Sequence, residues 1–316
     1  MAIEIPKVSY TGKVRKIKLG KGDKAIEVGA ADAYPFHTFE GELPVKPKLA
    51  LEIQDVAPDD WPQALMDVYG DVVNDPAAWA KKALEYEPDA ILLHLVGTDP
   101  NDKDLPPEAA VDAVKKVKDS IGDVTLIIWG CDNAKKDEEV LRKIEEAFEG
   151  ERLVIGPVVE DNYKVLGAGA LSFNHTAIAS TPIDINLAKQ LNILLGNLGV
   201  TDENIIMDPT VGGLGYGLEY SYSVMERARI AGLLQEDDKL RFPMICYVGK
   251  EVWKTKEAKL SKDEAPELGD PVKRGVLIES VTAALLLLAG GDLIVLRHPE
   301  SLKMVRSYID QLYGEG

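Results

Sequence analysis

The strongest constraint on the fold of this chain is a rhythm. From residue 48 onward, short apolar runs recur at 48–54 (KLALEIQ), 90–96 (AILLHLV), 124–129 (VTLIIW), 152–155 (RLVI), 176–180 (TAIAS), 204–208 (NIIMD), 243–248 (PMICYV) and 292–297 (DLIVLR). Nearly all are continuous and rich in leucine or β-branched residues, the pattern of parallel strands buried on both faces. Helical periods fill the gaps. Leu187, Leu191, Leu194 and Leu198 are spaced to share one helix face, as are Val111, Val114, Val117 and Ile121. Val140, Leu141, Ile144, Ala147 and Phe148 repeat the pattern, and so do Leu302, Val305, Ile309 and Leu312 after Pro299. Asp75 before Pro76 reads as an N-cap with proline at the first helical position. Eight strands alternating with helices predict an α/β fold, a (β/α)8 TIM barrel, over 48–316. A doubly wound sheet would carry a glycine-rich turn after its first strand, where this chain has Asp55, Val56, Ala57 and Pro58.

Upstream of the rhythm, the alternating runs 14–19 and 24–28 flank the turn GKGD, which predicts a β-hairpin. Residues 29–47 hold Pro35, Pro44 and Pro47 without periodicity and read as an extended arm. The expected organisation is a hairpin and arm over 1–47 and a barrel over 48–316.

Composition narrows the function classes. The 316 residues include 36 Lys+Arg against 53 Asp+Glu, a formal charge of −17, with 46% hydrophobic residues. That apolar content excludes a disordered chain, and the acidity disfavours nucleic-acid backbones and anionic membranes as ligands. The longest apolar run, Val281 to Ala289, is far shorter than the roughly 20 residues of a membrane span. The N-terminus lacks the apolar core of a signal peptide, so the expected location is cytoplasmic. Cys131 and Cys246 stand alone, without a CxxC that would build a zinc or iron–sulfur site. The four histidines, His37, His94, His175 and His298, form no ligand pattern, and no metal ligand is expected on this chain. His94, inside the second strand, reads as a core residue. No G-x-S-x-G elbow is present, so no catalytic nucleophile is assigned.

In a barrel, function gathers on the loops that follow the strands. Those loops offer Asp132 and Asn133 after the third strand, Asp208 and Thr210 after the sixth, and Arg297 and His298 after the eighth. After Asp208 come Gly212, Gly213, Gly215 and Tyr216, leading into a helix on which Val224, Ala228, Ala231 and Leu234 share a face. Glycines let backbone approach a ligand closely, and short polar side chains both donate and accept hydrogen bonds. Together they make the candidate ligand-facing surface. GLGYGLE lacks the lysine of a P-loop, and Glu219 would repel an anion there. The stretch 249–263, with Lys250, Lys254, Lys256 and Lys259, reads as a long charged loop suited to docking.

Several long blocks carry a family likeness. PFHTFEG (35–41), LALEIQD (49–55), GLEYSYSVMERAR (217–229), GKEVWKTKEA (249–258) and TAALLLLAGGDLIVLRHPESL (282–302) resemble the small (delta) subunit of the corrinoid iron–sulfur protein of the Wood–Ljungdahl, or acetyl-CoA, pathway. The resemblance implies a heterodimer with a large (gamma) subunit that carries a [4Fe–4S] cluster and a cobalamin-binding domain. It implies a corrinoid held between the two subunits, against the barrel mouth. It further implies a methyl carrier without turnover of its own. Cobalt(I) would accept a methyl group from methyltetrahydrofolate through a methyltransferase and pass it to acetyl-CoA synthase/CO dehydrogenase. The Asp208-Pro209 pair before a glycine-rich loop also resembles pterin-binding barrels, namely dihydropteroate synthase and the pterin-dependent methyltransferases. A free-standing methyltransferase of that kind is the alternative, and a purely structural platform is a third.

Overall fold

The computed structural model describes residues 5–211 and 213–313. An antiparallel hairpin comes first, β1 (Lys16–Leu19) with β2 (Ile26–Gly29). Eight parallel strands follow: β3 (Lys48–Gln54), β4 (Ala90–His94), β5 (Thr125–Trp129), β6 (Val154–Val158), β7 (Thr176–Pro182), β8 (Ile205–Val211), β9 (Ile245–Tyr247) and β10 (Leu293–Leu296). Their order around the sheet is β8-β7-β6-β5-β4-β3-β10-β9, and the bridge between Met207 and Met244 joins the two ends. The result is a nearly closed barrel ringed by helices, as the alternation of runs predicts.

Strand geometry then sorts every side chain, because successive residues point to opposite faces. On β3, Leu49, Leu51 and Ile53 pack outward among the helices, while Ala50 joins the barrel interior. The lower interior is filled by Ala50, Ala90, Ile127, Val154, Ile206 and Leu293. Ile17, Leu19, Ile26 and Val28 of the hairpin belong to the same cluster and plug the barrel from below. Thr125 Oγ1 donates to Leu19 O at 3.2 Å, tying plug to barrel. The arm after β2 lies against the same end, where Phe36 meets Tyr313 edge-on at 5.6 Å. Arg229 also works there: its guanidinium donates to Phe242 O at 2.8 Å and Gly290 O at 2.6 Å, and pairs with half-buried Asp292.

Two helical faces differ from the sequence expectation. On helix 185–197 the buried residues are Ala188, Leu191, Asn192 and Leu195, so the apolar stripe is rotated from the Leu187–Leu194–Leu198 line. Leu187 and Leu194 instead line a cavity of about 240 Å³ beside this helix, together with Leu191, Val159 and Pro182. On helix 218–234, Val224, Ala228 and Ala231 are buried, but Leu234 at its end is 41% exposed. Among the described residues, no helix is long and apolar enough to cross a membrane.

Candidate functional site: the barrel mouth

The upper interior is polar where the lower interior is apolar. Following the inward alternation, Glu52 and Gln54 rise from β3, His94 from β4, Trp129 from β5, Ser180 from β7, Asp208 from β8 and Tyr247 from β9, with Arg297 just after β10. All of them are buried. Buried charge is costly unless it is paired, and here Glu52 meets Arg297 and the His94 ring.

Arg297 donates from Nε to Glu52 Oε2 at 2.6 Å and from Nη2 to Oε1 at 2.8 Å, a bidentate clasp. Burial alone would raise the Glu52 carboxyl, but the Arg297 guanidinium and the His94 ring outweigh it and hold it far below the usual range. Gln54 donates to Glu52 Oε1 at 3.2 Å. The Tyr247 hydroxyl lies 3.1 Å from His94 Nδ1, and burial lowers the pKa of that ring. Across the mouth, Lys250 pairs with the Asp132 carboxylate and sits 5.3 Å above the Trp129 ring, whose Nε1 donates to Asp132 Oδ1 at 2.9 Å. Burial raises the Asp132 carboxyl, yet Lys250 first and His94 second bring it below its ordinary value.

Asp208 is of another kind. It is fully buried, its Oδ1 accepts from Thr210 N at 3.1 Å and Thr210 Oγ1 at 2.7 Å, and burial pushes its pKa up to about 6. Ser180 Oγ donates to its Oδ2 at 3.4 Å. A cavity of about 130 Å³ opens between the ends of β5, β6 and β7, lined by Trp129, Asp132, Asp137, Pro157 and Thr181. Two of these residues hold buried oxygens without a hydrogen-bond partner among the described residues, Asp137 Oδ2 and Thr181 Oγ1. Burial raises Asp137 to about 7. The mouth therefore offers balanced charge, with neutral acceptors and donors to spare beside it.

The residues expected from sequence divide on this frame. Asp132, Asp208, Thr210 and Arg297 meet at the mouth. Asn133 instead caps helix 134–147, accepting from Lys136 N at 3.1 Å. His298 turns outward: its ring stacks on Trp253 at 6.0 Å, and its Nδ1 accepts from Glu300 N at 3.1 Å. Gly213, Gly215 and Tyr216 form one helical turn above the mouth, with Tyr216 78% exposed; Gly212 lies outside the described residues. A Cβ at Gly213 would lie 1.7 Å from Ser221 Oγ, whereas one at Gly215 would meet nothing within 4 Å. The stretch 249–263 is not an open loop, because helical turns at Val248–Val252 and Lys256–Lys259 break it up. The first turn sends Lys250 inward, while Lys254, Lys256 and Lys259 stay exposed.

Sequence pattern does not single out Glu52, Trp129, Tyr247 or Lys250 for the mouth, though a signal exists for one of them. A glutamate inside the apolar run KLALEIQ occupies an inward position, where a charge needs a partner.

A family model, the CO dehydrogenase/acetyl-CoA synthase delta subunit, matches residues 16–307. The chain belongs to this family. Delta-subunit relatives from three archaea match along most of it. The acetyl-CoA decarbonylase/synthase complex subunit delta 1 of Methanosarcina thermophila is 35% identical over 303 residues, 93% of this chain and 68% of the relative. Subunit delta of Methanothermobacter thermautotrophicus is 35% identical, over 94% of this chain and 75% of that one. Subunit delta of Archaeoglobus fulgidus is 33% identical over 98% and 70%. Among solved structures, dihydropteroate synthase of Xanthomonas albilineans superposes with a TM-score of 0.61 at 10% identity, covering 96% of this chain and 100% of that one. The Thermus thermophilus enzyme gives 0.55 at 15% identity, covering 95% and 100%. At such identities the likeness is one of fold: the delta-subunit barrel has the architecture of pterin-binding barrels. As a member of this family, the chain is a subunit of a multi-subunit complex.

Proposed function

We propose that this delta subunit is the barrel half of a corrinoid methyl carrier, paired with a large (gamma) subunit that holds the [4Fe–4S] cluster and most of the corrinoid. The carrier would accept its methyl group from a methyltetrahydrofolate methyltransferase and yield it to acetyl-CoA synthase/CO dehydrogenase. Membership of the delta-subunit family over residues 16–307 carries the reading.

The residues at the mouth fit such a group. A corrin ring is edged by carboxamides, which need both donors and acceptors, and the mouth holds unpartnered Asp137 Oδ2 and Thr181 Oγ1 beside the paired Asp132 and Lys250. The turn at Gly213–Tyr216 presents backbone with open space above Gly215. When bound, the corrinoid supplies a cobalt centre able to take up and release a methyl group. This chain's residues would hold its edge and keep water from that face. The clasp of Arg297 on Glu52 and the pair of Lys250 with Asp132 keep the mouth in one shape, since each ion satisfies another.

The alternative, a free-standing pterin methyltransferase, would need a carboxylate free to accept N–H bonds from the pterin ring. Asp208 is poorly suited, being fully buried and engaged with Thr210 and Ser180. Co-purification tests the proposal. The corrinoid absorption band should accompany this chain only when the large subunit is present, and calorimetric titration of the isolated chain with methyltetrahydrofolate should be silent. A visible band on the chain alone, or heat from the titration, would reject the carrier reading.

A further inference from the structure

The cavity of about 130 Å³ at the ends of β5, β6 and β7 shares Trp129 and Asp132 with the mouth, so it adjoins the ion pairs there. Its other walls include Ala134, Pro157, Val159 and Pro182, which are apolar. Size limits what can enter. There is room for several waters, yet the volume falls short of the roughly 300–1,000 Å³ of pockets that enclose a whole small molecule. It suits a short arm of something larger lying over the mouth. Chemistry limits the arm further. Asp137 is fully buried in the first turn of helix 134–147, and its Oδ1 accepts from Cys131 N at 2.7 Å. The carboxyl also sits tightly on Gly130, where a Cβ would lie 2.2 Å from Oδ1, and Oδ2 is left without a partner among the described residues. Thr181, 6% exposed near the end of β7, has an Oγ1 in the same condition. Its β-branched side chain has little rotamer freedom, which holds the hydroxyl in place. Buried polar atoms of this kind are costly until something completes them.

An anion fits poorly, because no Lys, Arg or His among the described residues lines the cavity and nearby Lys250 is held by Asp132. An ammonium group would satisfy Asp137 but leave the Thr181 hydroxyl proton with nothing to donate to. A primary carboxamide completes both: its N–H donates to Asp137 Oδ2 and its oxygen accepts from Thr181 Oγ1. A short aliphatic stem would lie against Pro157, Val159 and Pro182. We propose that this cavity is the slot for one carboxamide arm of the corrin, with Asp137 as its acceptor and Thr181 as its donor. The inference rests on the carrier reading above and deepens it by naming the two side chains that read the arm. An asparagine or glutamine of a partner polypeptide carries the same group. The corrin is the assigned source because the slot shares Trp129 and Asp132 with the mouth over which the carrier reading lays the ring.

The test uses the complex of the full chain with the large subunit, freed of corrinoid. Absorbance titrations compare cobalamin with its monocarboxylic acids, each having one amide hydrolysed, above the value of about 7 to which burial raises Asp137. One monoacid should bind the wild-type complex about tenfold more weakly than cobalamin, because its carboxylate would face that of Asp137. Asp137→Asn should weaken cobalamin by about tenfold and bring that same monoacid within about twofold of it, a reversal that loss of packing would not give. Thr181→Val, which keeps the shape and removes the hydroxyl, should weaken cobalamin by about tenfold. Leu171→Asp, at a 41% exposed leucine on helix 163–173, should bind as wild type. Should Asp137→Asn fail to assemble, Thr181→Val and the monoacid series decide. If every monoacid binds the wild-type complex within about twofold of cobalamin, or Thr181→Val binds cobalamin as wild type does, the slot holds no corrin arm and the proposal is overturned while the carrier reading stands. If the variants instead weaken assembly of the two subunits without corrinoid, the arm is a partner's amide side chain and the corrin assignment is overturned. If the wild-type complex takes up no cobalamin, the carrier reading fails and this inference falls with it.

Discussion

Arg297 and Glu52 stand 245 residues apart and are joined by two parallel hydrogen bonds, Nε to Oε2 at 2.6 Å and Nη2 to Oε1 at 2.8 Å. They belong to the ends of β10 and β3, the last and first strands of the barrel, so the clasp sits on the seam where the chain closes on itself. The guanidinium also lies 4.8 Å from the Trp61 ring centroid, and Tyr69 OH donates to Arg297 O at 2.7 Å.

Breaking that clasp from one side leaves a buried ion without its partner. Arg297→Met and Glu52→Leu should each lose about 3–5 kcal/mol in chemical denaturation, and the double variant less than either, because no charge remains unpaired. The pH dependence has a defined sign. Glu52 ionises far below its ordinary value of 4.5 in the folded chain, so its contribution is present above about pH 4.5 and lost as pH falls below it. Glu52→Gln should flatten the acid limb of the stability profile. An unchanged limb would mean that the pair is not the acid-sensitive element.

Lys250 and Asp132 can be watched through Trp129, which touches both. In wild type, Asp132 stays ionised through the neutral range, so changes in Trp129 emission between about pH 5 and 8 belong to Asp208 and Asp137, which burial raises to about 6 and about 7. Lys250→Met removes the cation that outweighs burial, so the Asp132 pKa should rise and a further Trp129 transition should appear in the variant. An emission profile identical to that of wild type would show that Lys250 does not set the Asp132 charge.

Glu145 tests the opposite sign. It is buried on helix 134–147 with neither carboxylate oxygen partnered among the described residues, and burial pushes it up to about 9. Its folded pKa lies above the unfolded value near 4.5, so stability declines as pH rises from about 4.5 to about 9. Glu145→Gln should remove that slope and be about 1–3 kcal/mol more stable than wild type at pH 8. The neighbouring Gly169→Ala should destabilise, since its Cβ would lie 1.7 Å from Glu145 Oε2.

The glycine turn separates packing from ligand contact. Gly213→Val should lower the melting temperature, because its Cβ runs into Ser221. Gly215→Val should leave the melting temperature within about 1 °C, since a Cβ there meets no heavy atom within 4 Å, and should shift the corrinoid spectrum of the loaded complex. Loss of stability in both variants would make the turn purely structural.

Local pattern was enough to place the barrel. All eight apolar runs became parallel strands, and the turn GKGD lies between β1 and β2, because strand and helix periods depend only on backbone geometry over a few residues. A smaller part of the mouth could be read in the same way: Asp132, Asp208, Thr210 and Arg297 follow strands, and barrel topology carries strand ends to one rim. What local pattern did not contain is who meets whom. Lys250 stands in a stretch that reads as a long charged docking loop, and only the helical turn at Val248–Val252 sends it inward to Asp132. Asn133 and His298 have the right positions, but one is taken by a helix cap and the other by the Trp253 ring. On helix 185–197, Leu187 and Leu194 line a cavity beside the helix while Ala188, Leu191, Asn192 and Leu195 are the buried residues. Sequence by itself determined the strands, the helices and the polar character of the strand ends, all short-range properties. Tertiary structure decided the pairing of Glu52 with Arg297, the plugging of the barrel by the hairpin and the meeting of Asp137 and Thr181 at one cavity, because each depends on groups brought together only when the sheet closes.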